Sequence, residues 1–170
     1  MPRAAAGFTV IELMFVIALA AVLLSIGLPS LTNLVISNRL SSVSADLMTD
    51  LTFARATAIS RAQRVGFCAS NDQATCNGSS WNQGWIIYLD ANSNGTFETA
   101  TETLLRVHDP LPSGVTVTVA PSTLDVIYRP SGPADASRTF TVCKSGMVGR
   151  LVSINATGRT QVTSTSSNCS

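Results

Sequence analysis

An α+β fold is predicted, a long N-terminal α-helix packed on a C-terminal antiparallel β-sandwich-like domain. Three observations predict it. Apolar residues run almost unbroken from Phe8 to Leu28 and then recur at spacings of three and four through Ala58, the period of a helix. From Arg64 the pattern changes to short runs of β-branched and aromatic residues separated by Gly, Pro, Asn and Ser, as in strands joined by turns. A chain of 170 residues with 45% hydrophobic content can bury one moderate core, so one globular domain plus an N-terminal segment accounts for the length.

Segment 1–7, MPRAAAG, is short and carries Arg3, a charge that stays on the cytoplasmic side of a membrane. A secretory signal places its small-residue cleavage site after the apolar run; here the small residue Gly7 precedes it. Segment 8–29 has the ~20-residue length that crosses roughly 30 Å of hydrocarbon. Glu12 lies within that run. A carboxylate in hydrocarbon costs several kcal/mol unless something pairs with it, which marks Glu12 as a functional residue in need of a partner.

Segment 30–63 continues the helix. Leu40, Val43, Leu47, Leu51, Ala54 and Ala58 form one apolar stripe, and Arg39, Ser42, Asp46, Asp50 and Arg61 are assigned to the opposite, solvated face. The whole helix, 8–63, is expected to be roughly 80 Å long at about 1.5 Å per residue, with a bend near Gly27 and Pro29. Segment 64–170 reads as seven strands, VGFCAS, GWIIYLD, TLLRVHD, VTVTVA, LDVIYRP, RTFTVCK and RLVSIN, in antiparallel sheets with one face on the helix stripe.

Cys68, Cys76, Cys143 and Cys169 allow three pairings, and no CxxC occurs among them. Cys68 and Cys76 bracket a short polar loop, and a bridge from Cys143 to Cys169 would tie down the tail. Those two local pairings are the expected ones. They require an oxidising compartment. The net charge of +1 and 12% charged residues give no global attraction to nucleic acid or anionic lipid.

The run G-F-T-V-I-E-L, from Gly7 to Leu13, resembles the class III signal of type IV pilins and of type II secretion pseudopilins. The resemblance implies cleavage between Gly7 and Phe8 by a prepilin peptidase and methylation of the new N-terminal Phe8. It implies that Glu12 is retained to face the N-terminal amine of a neighbouring subunit, and that Pro29 is the helix-kinking proline. Three further stretches resemble the GspH/FimT/FimU group of minor pilins and pseudopilins: the A-R-x-x-A-I run beginning at Ala54, the G-W strand leading into the D-x-N-x-N-G turn at Asp90, and Gly158-Arg159 near the C-terminus. The implied fold is that of a pilin.

The stretch Asp90 to Gly95 matches the first half of a calcium loop, with Asp90, Asn92 and Asn94 as oxygen donors. Position twelve is Thr101 rather than a bidentate Glu, and a hairpin turn held by Asp and Asn side chains is the preferred reading. A G-R-x-R motif in FimT-type pilins is associated with DNA contact; here Gly158 and Arg159 match while Gln161 replaces the second Arg. Arg150 and Arg138 are the cations that would complete a phosphate-binding patch. Trp85 is assigned to the core and Trp81 to a partly exposed position. His108 is the only histidine, no Walker, GxSxG or HExxH motif occurs, and neither an enzyme nor a cofactor is expected.

The expected function is that of a minor type IV pilin of the FimU/FimT kind, priming assembly and lying at or near the pilus tip. Its implied partners are other minor and major pilins, the prepilin peptidase and the inner-membrane assembly machinery. The alternatives are a GspH-type minor pseudopilin of type II secretion, a DNA-binding minor pilin, and an anchored periplasmic domain that never polymerises. The expected location is the inner membrane, single-pass with a periplasmic C-terminal domain, followed by incorporation into the filament.

Overall fold

The structure is a computed structural model that describes residues 9–169, with the side chains at positions 26–30 outside the description. Two units are distinguished, Met1–Ser37 and Asn38–Ser170. Helix α1 runs over Val10–Arg61. It stops because Ala62 takes a left-handed φ of 51°. The Gln63 N–H then reaches back to the Ala58 carbonyl at 3.2 Å, closing the last turn.

In the second unit the stripe behaves as its spacing dictates. Leu40, Val43, Leu47, Leu51, Ala54 and Ala58 are all buried. Two four-stranded antiparallel sheets receive them. Strands β1 (Arg64–Ala69), β2 (Trp85–Asp90), β3 (Thr103–His108) and β5 (Asp125–Tyr128) form one sheet in the order β3-β2-β1-β5. Strands β4 (Thr116–Ala120), β6 (Arg138–Cys143), β7 (Val148–Ile154) and β8 (Thr160–Asn168) form the other in the order β4-β6-β7-β8.

Strand β8 is an eighth strand that the sequence pattern did not yield. Its residues, TQVTSTSSN, contain a single apolar side chain, so neither alternation nor hydrophobicity marks it. The hydrogen-bonding ladder with β7 and the Cys169 bridge hold it instead.

An aromatic cluster joins the sheets. The Phe67 ring stacks on Trp81 at 5.1 Å, and Phe140 meets Trp81 edge-on at the same distance. Such pairs add about 0.5–1.5 kcal/mol each beyond area burial. Trp81, expected to be partly exposed, is only 2% exposed. A capping box explains this: Ser80 and Gln83 clamp the short 3-10 helix Trp81–Gln83, which turns Trp81 inward, where its Nε1–H donates to the Thr123 carbonyl at 2.9 Å.

Strand β2 is buried along its whole length. Trp85, Ile87 and Leu89 share the helix-facing side, while Ile86 and Tyr88 lie on the other side in a cluster with Cys68 and Phe97. Burial on both faces is what a continuous apolar run such as WIIYL encodes. The Tyr88 ring crosses Gly66 so closely that a Cβ there would lie 2.1 Å from a ring carbon.

Candidate functional site

The first unit carries the feature that asks for a partner. From Val10 to Leu24 apolar side chains are exposed on every side of the helix, with Val10 at 78%, Phe15 at 68% and Leu23 at 72%. A helix apolar all round is stable only when surrounded by lipid or by other helices. Among the described residues no helix is long and apolar enough to cross a membrane. The expected span, 8–29, includes position 8 and the side chains of 26–29, which lie outside the description. Gly7 and Phe8 of the processing site also lie outside the described residues, and Gly27 and Pro29, where the bend is expected, lie in the stretch 26–30 whose side-chain surroundings are outside the description.

Glu12 lies in the first turn. Its backbone N–H donates to the Thr9 hydroxyl at 3.3 Å, and the Leu13 N–H reaches the Thr9 carbonyl at 3.2 Å. Thr9 is therefore the N-cap and Glu12 occupies the third helical position, where the helix dipole favours a carboxylate. The Thr-x-x-Glu spacing is the sequence signal for this arrangement, and the sequence reading had not used it. Among the described residues no group donates to or pairs with the Glu12 carboxylate.

The Asp90 turn is organised around an internal cation. Arg64 places Nε 3.3 Å from Asp90 Oδ2 and donates through Nη1 to the Ser93 carbonyl at 2.8 Å. Asp90 Oδ2 also accepts from the Gly95 N–H at 3.1 Å, Asp90 Oδ1 is buried with no hydrogen-bond partner among the described residues, and the other acceptors face the loop's own donors. Glu98 accepts from the Asn92 and Asn94 amides, and Glu102 accepts from the Ala91 and Glu98 N–H groups. Asn92 and Asn94 accept from the N–H groups two residues on, and Tyr88 donates its hydroxyl to the Gly95 carbonyl. Among the described residues no three Asp, Glu, His or Cys side chains are grouped to hold a metal. A guanidinium against the first carboxylate opposes a second cation there. Millimolar calcium is accordingly expected to leave the thermal midpoint of the oxidised protein unchanged; a rise of several degrees would restore Asp90, Asn92 and Asn94 as ligands.

The three arginines offered for phosphate contact are not equivalent. Arg138 is buried and paired with Asp135 at 2.6 Å, which corrects its assignment to an open patch: a phosphate would have to displace this pair. Arg150 is half-buried and donates to Ser164 at 3.0 Å and to Ser41 at 3.5 Å. Arg159 is exposed in the turn after β7, beside Gln161. Of the three, only Arg159 presents an open guanidinium, so they do not form one cationic face.

Both disulfides lie within the domain, Cys68 with Cys76 and Cys143 with Cys169. Inside the first loop, Asp72 accepts from the Thr75 hydroxyl, the Ala74 and Thr75 N–H groups and the Ser70 hydroxyl. The Thr75 hydroxyl and these backbone donors hold its carboxyl well below the usual carboxylate range. Burial pushes the phenols of Tyr88 and Tyr128 above their ordinary value.

One polar cluster escaped the sequence reading. Asp50, assigned to the solvated face, is buried; it accepts from Trp85 Nε1 at 2.8 Å and pairs with Arg106 at 2.7 Å. The Arg106 guanidinium lies over the Phe53 ring at 4.1 Å, and His108 stacks on Trp85 at 3.8 Å. His108 Nε2 is 3.9 Å from Asp46. The cluster ties the helix to the β3-β2-β1-β5 sheet.

A family model described as Type II transport protein GspH matches residues 44–158, and one described as Prokaryotic N-terminal methylation motif matches residues 2–28. Among solved structures, the type IV minor pilin FimU of Pseudomonas aeruginosa is similar at 24% identity, over 77% of this chain and 96% of that one, with a TM-score of 0.62. A second crystal form of FimU gives 24% identity over 75% and 98%, with a TM-score of 0.58. The minor pseudopilin EpsH from the type 2 secretion system of Vibrio cholerae gives 11% identity over 74% and 97%, with a TM-score of 0.52. At these identities the likeness is one of fold. No curated protein matches this chain.

Proposed function

The chain belongs to the GspH family of type IV pilin-like proteins, and from that membership we propose that it works as a minor type IV pilin of the FimU kind, priming pilus assembly and entering the filament at or near its tip. The observation that carries the proposal is the helical segment from Val10 onward, apolar on every face, with Glu12 in its first turn. Such a helix has two stable surroundings, lipid before assembly and other pilin helices after it. The chain would stand in the inner membrane with its β domain in the periplasm, where both disulfides form.

Processing supplies the partner that Glu12 lacks. Prepilin peptidase cuts between Gly7 and Phe8, freeing an amine that is methylated and keeps its positive charge. Within a bundle of apolar helices, the Phe8 amine of one subunit pairs with Glu12 of its neighbour. An unpaired carboxylate there costs several kcal/mol, so correctly registered packing is favoured over slipped packing. The assembly machinery of the inner membrane and the other major and minor pilins are the partners this requires.

A second reading is supported by the family description itself: a minor pseudopilin of type II secretion, using the same helix and the same pairing. One experiment separates the two. In the producing bacterium, Glu12→Ala is compared with the wild type for surface pili, for secreted protein and for the amount of this chain in the membrane. Loss of most pili, with secretion and protein level intact, is the expected result. Lost secretion with normal pili moves the function to the pseudopilus; no change in either, at a normal protein level, overturns both.

A further inference from the structure

We propose that the free edge of β8 pairs with the same edge of a second copy of this chain, joining two β4-β6-β7-β8 sheets into one. The proposal stands on the globular unit alone and goes beyond the filament reading. Exposed strand edges carry unpaired backbone N–H and C=O groups, and proteins usually guard them.

Among the described residues the other three edges are guarded. On β4 the Val117 N–H donates to Asn82 Oδ1 at 2.6 Å. On β5 the Ile127 carbonyl accepts from the Asp135 N–H and the Ile127 N–H donates to Asp135 Oδ1. Strand β3 shifts register against β2 between Ile87 and Tyr88, and its Arg106 turns inward to Asp50.

Strand β8 has fewer defences. It holds no charged residue and no proline. Its register shift against β7 falls between its pairs at Ser164 and Asn168, so Thr160–Ser164 is a regular edge, exposed from Gln161 to Ser164. It is already ordered without a partner, by β7 on one side and by the Cys143–Cys169 bridge beyond its end. Pairing therefore needs little further ordering of the strand itself.

A second copy is the occupant that the residues favour. An antiparallel pair centred on Val162 sets Val162 against Val162 of the partner, Gln161 against Thr163, and Thr160 against Ser164. No like charges meet, and β-branched and hydroxyl pairs are the favourable ones. Val162 lies opposite the buried Val152 in the ladder yet is itself 38% exposed, so pairing covers an apolar side chain. The net charge of +1 offers no long-range repulsion between copies.

The test uses the full chain in detergent micelles. Val162→Cys is expected to form a disulfide-linked dimer on a non-reducing gel, and Thr118→Cys, on the guarded β4, is expected to form none. Within the Val162→Cys background, adding Gln161→Lys and Thr163→Lys sets like charges opposite each other and should abolish the dimer. Gln161→Lys with Thr163→Glu restores complementary charges and should recover it. Equal cross-linking at 118 and 162, no cross-linking at 162, or indifference to the lysine pair in a normally folded variant each overturns the proposal.

Discussion

Asp50→Ala is expected to destabilise the β domain by about 3 kcal/mol, a drop of roughly 10 °C in thermal midpoint for a domain of this size. The Asp50 side chain is 7% exposed and answers two donors on the opposite sheet, Trp85 Nε1 and Arg106 Nη1. Alanine removes both bonds, strands a buried indole N–H and leaves Arg106 facing an apolar wall. Because the Arg106 side chain is 39% exposed, water relieves part of its loss, which holds the cost at the lower end of the range for broken buried pairs. Asp50→Asn should cost less, since its amide oxygen still accepts from Trp85. Asp46→Ala, half-exposed and 3.9 Å from His108, should stay within about 0.5 kcal/mol. Urea titrations followed by tryptophan fluorescence order the three variants; an Asp50→Ala midpoint equal to that of Asp46→Ala would show that the pair contributes nothing.

Asp50 also marks where sequence reasoning reaches its limit. The apolar stripe was legible because Leu47, Leu51 and Ala54 repeat at helical spacing, and all three are buried. Asp50 sits three residues after Leu47 and four before Ala54, in the middle of that stripe. Its polarity put it on the wrong face, because its partners, Trp85 and Arg106, are more than thirty residues away. Seven strands were legible from β-branched runs, whereas β8 was not, since its stability resides in the β7 ladder and a disulfide rather than in its own Ser and Thr side chains. Trp81 could have been placed from the Ser80-x-x-Gln83 capping box, and Glu12 could have been seen as an N3 residue behind Thr9. The candidate cation turn shows the same limit from another side. Its Asp90-x-Asn-x-Asn-Gly spacing was visible, but the guanidinium that faces it comes from Arg64, on another strand.

Gly158→Ala is the substitution expected to cost most near the C-terminus, about 3 kcal/mol or more. The residue has a φ of 78°, which costs any L side chain about 1 kcal/mol. A Cβ there would lie 2.1 Å from the Gly132 carbonyl oxygen and 3.0 Å from Arg55 Nε. Backbone cannot yield as a side-chain tip can, so the turn itself must move, at an overpacking cost of about 1–3 kcal/mol. The movement also strains the Arg55 latch, in which Nε donates to the Gly132 carbonyl at 3.0 Å and Nη2 to the Thr157 carbonyl at 3.3 Å. Arg55 belongs to the Ala-Arg run at the helix end and Gly158 to the Gly-Arg pair, so two signature features resembling the family meet at one carbonyl and hold helix and sheet turns together. Arg55→Ala alone should cost about 2 kcal/mol, and the double variant less than the sum, because the alanine at 158 has already disturbed what Arg55 binds. Arg159→Ala, beside them but exposed, should leave the midpoint within about 0.5 kcal/mol. Strict additivity of the two latch variants, or an Arg159→Ala loss as large as that of Gly158→Ala, would refute the latch and return the Gly-Arg pair to a role in contacting something outside the chain.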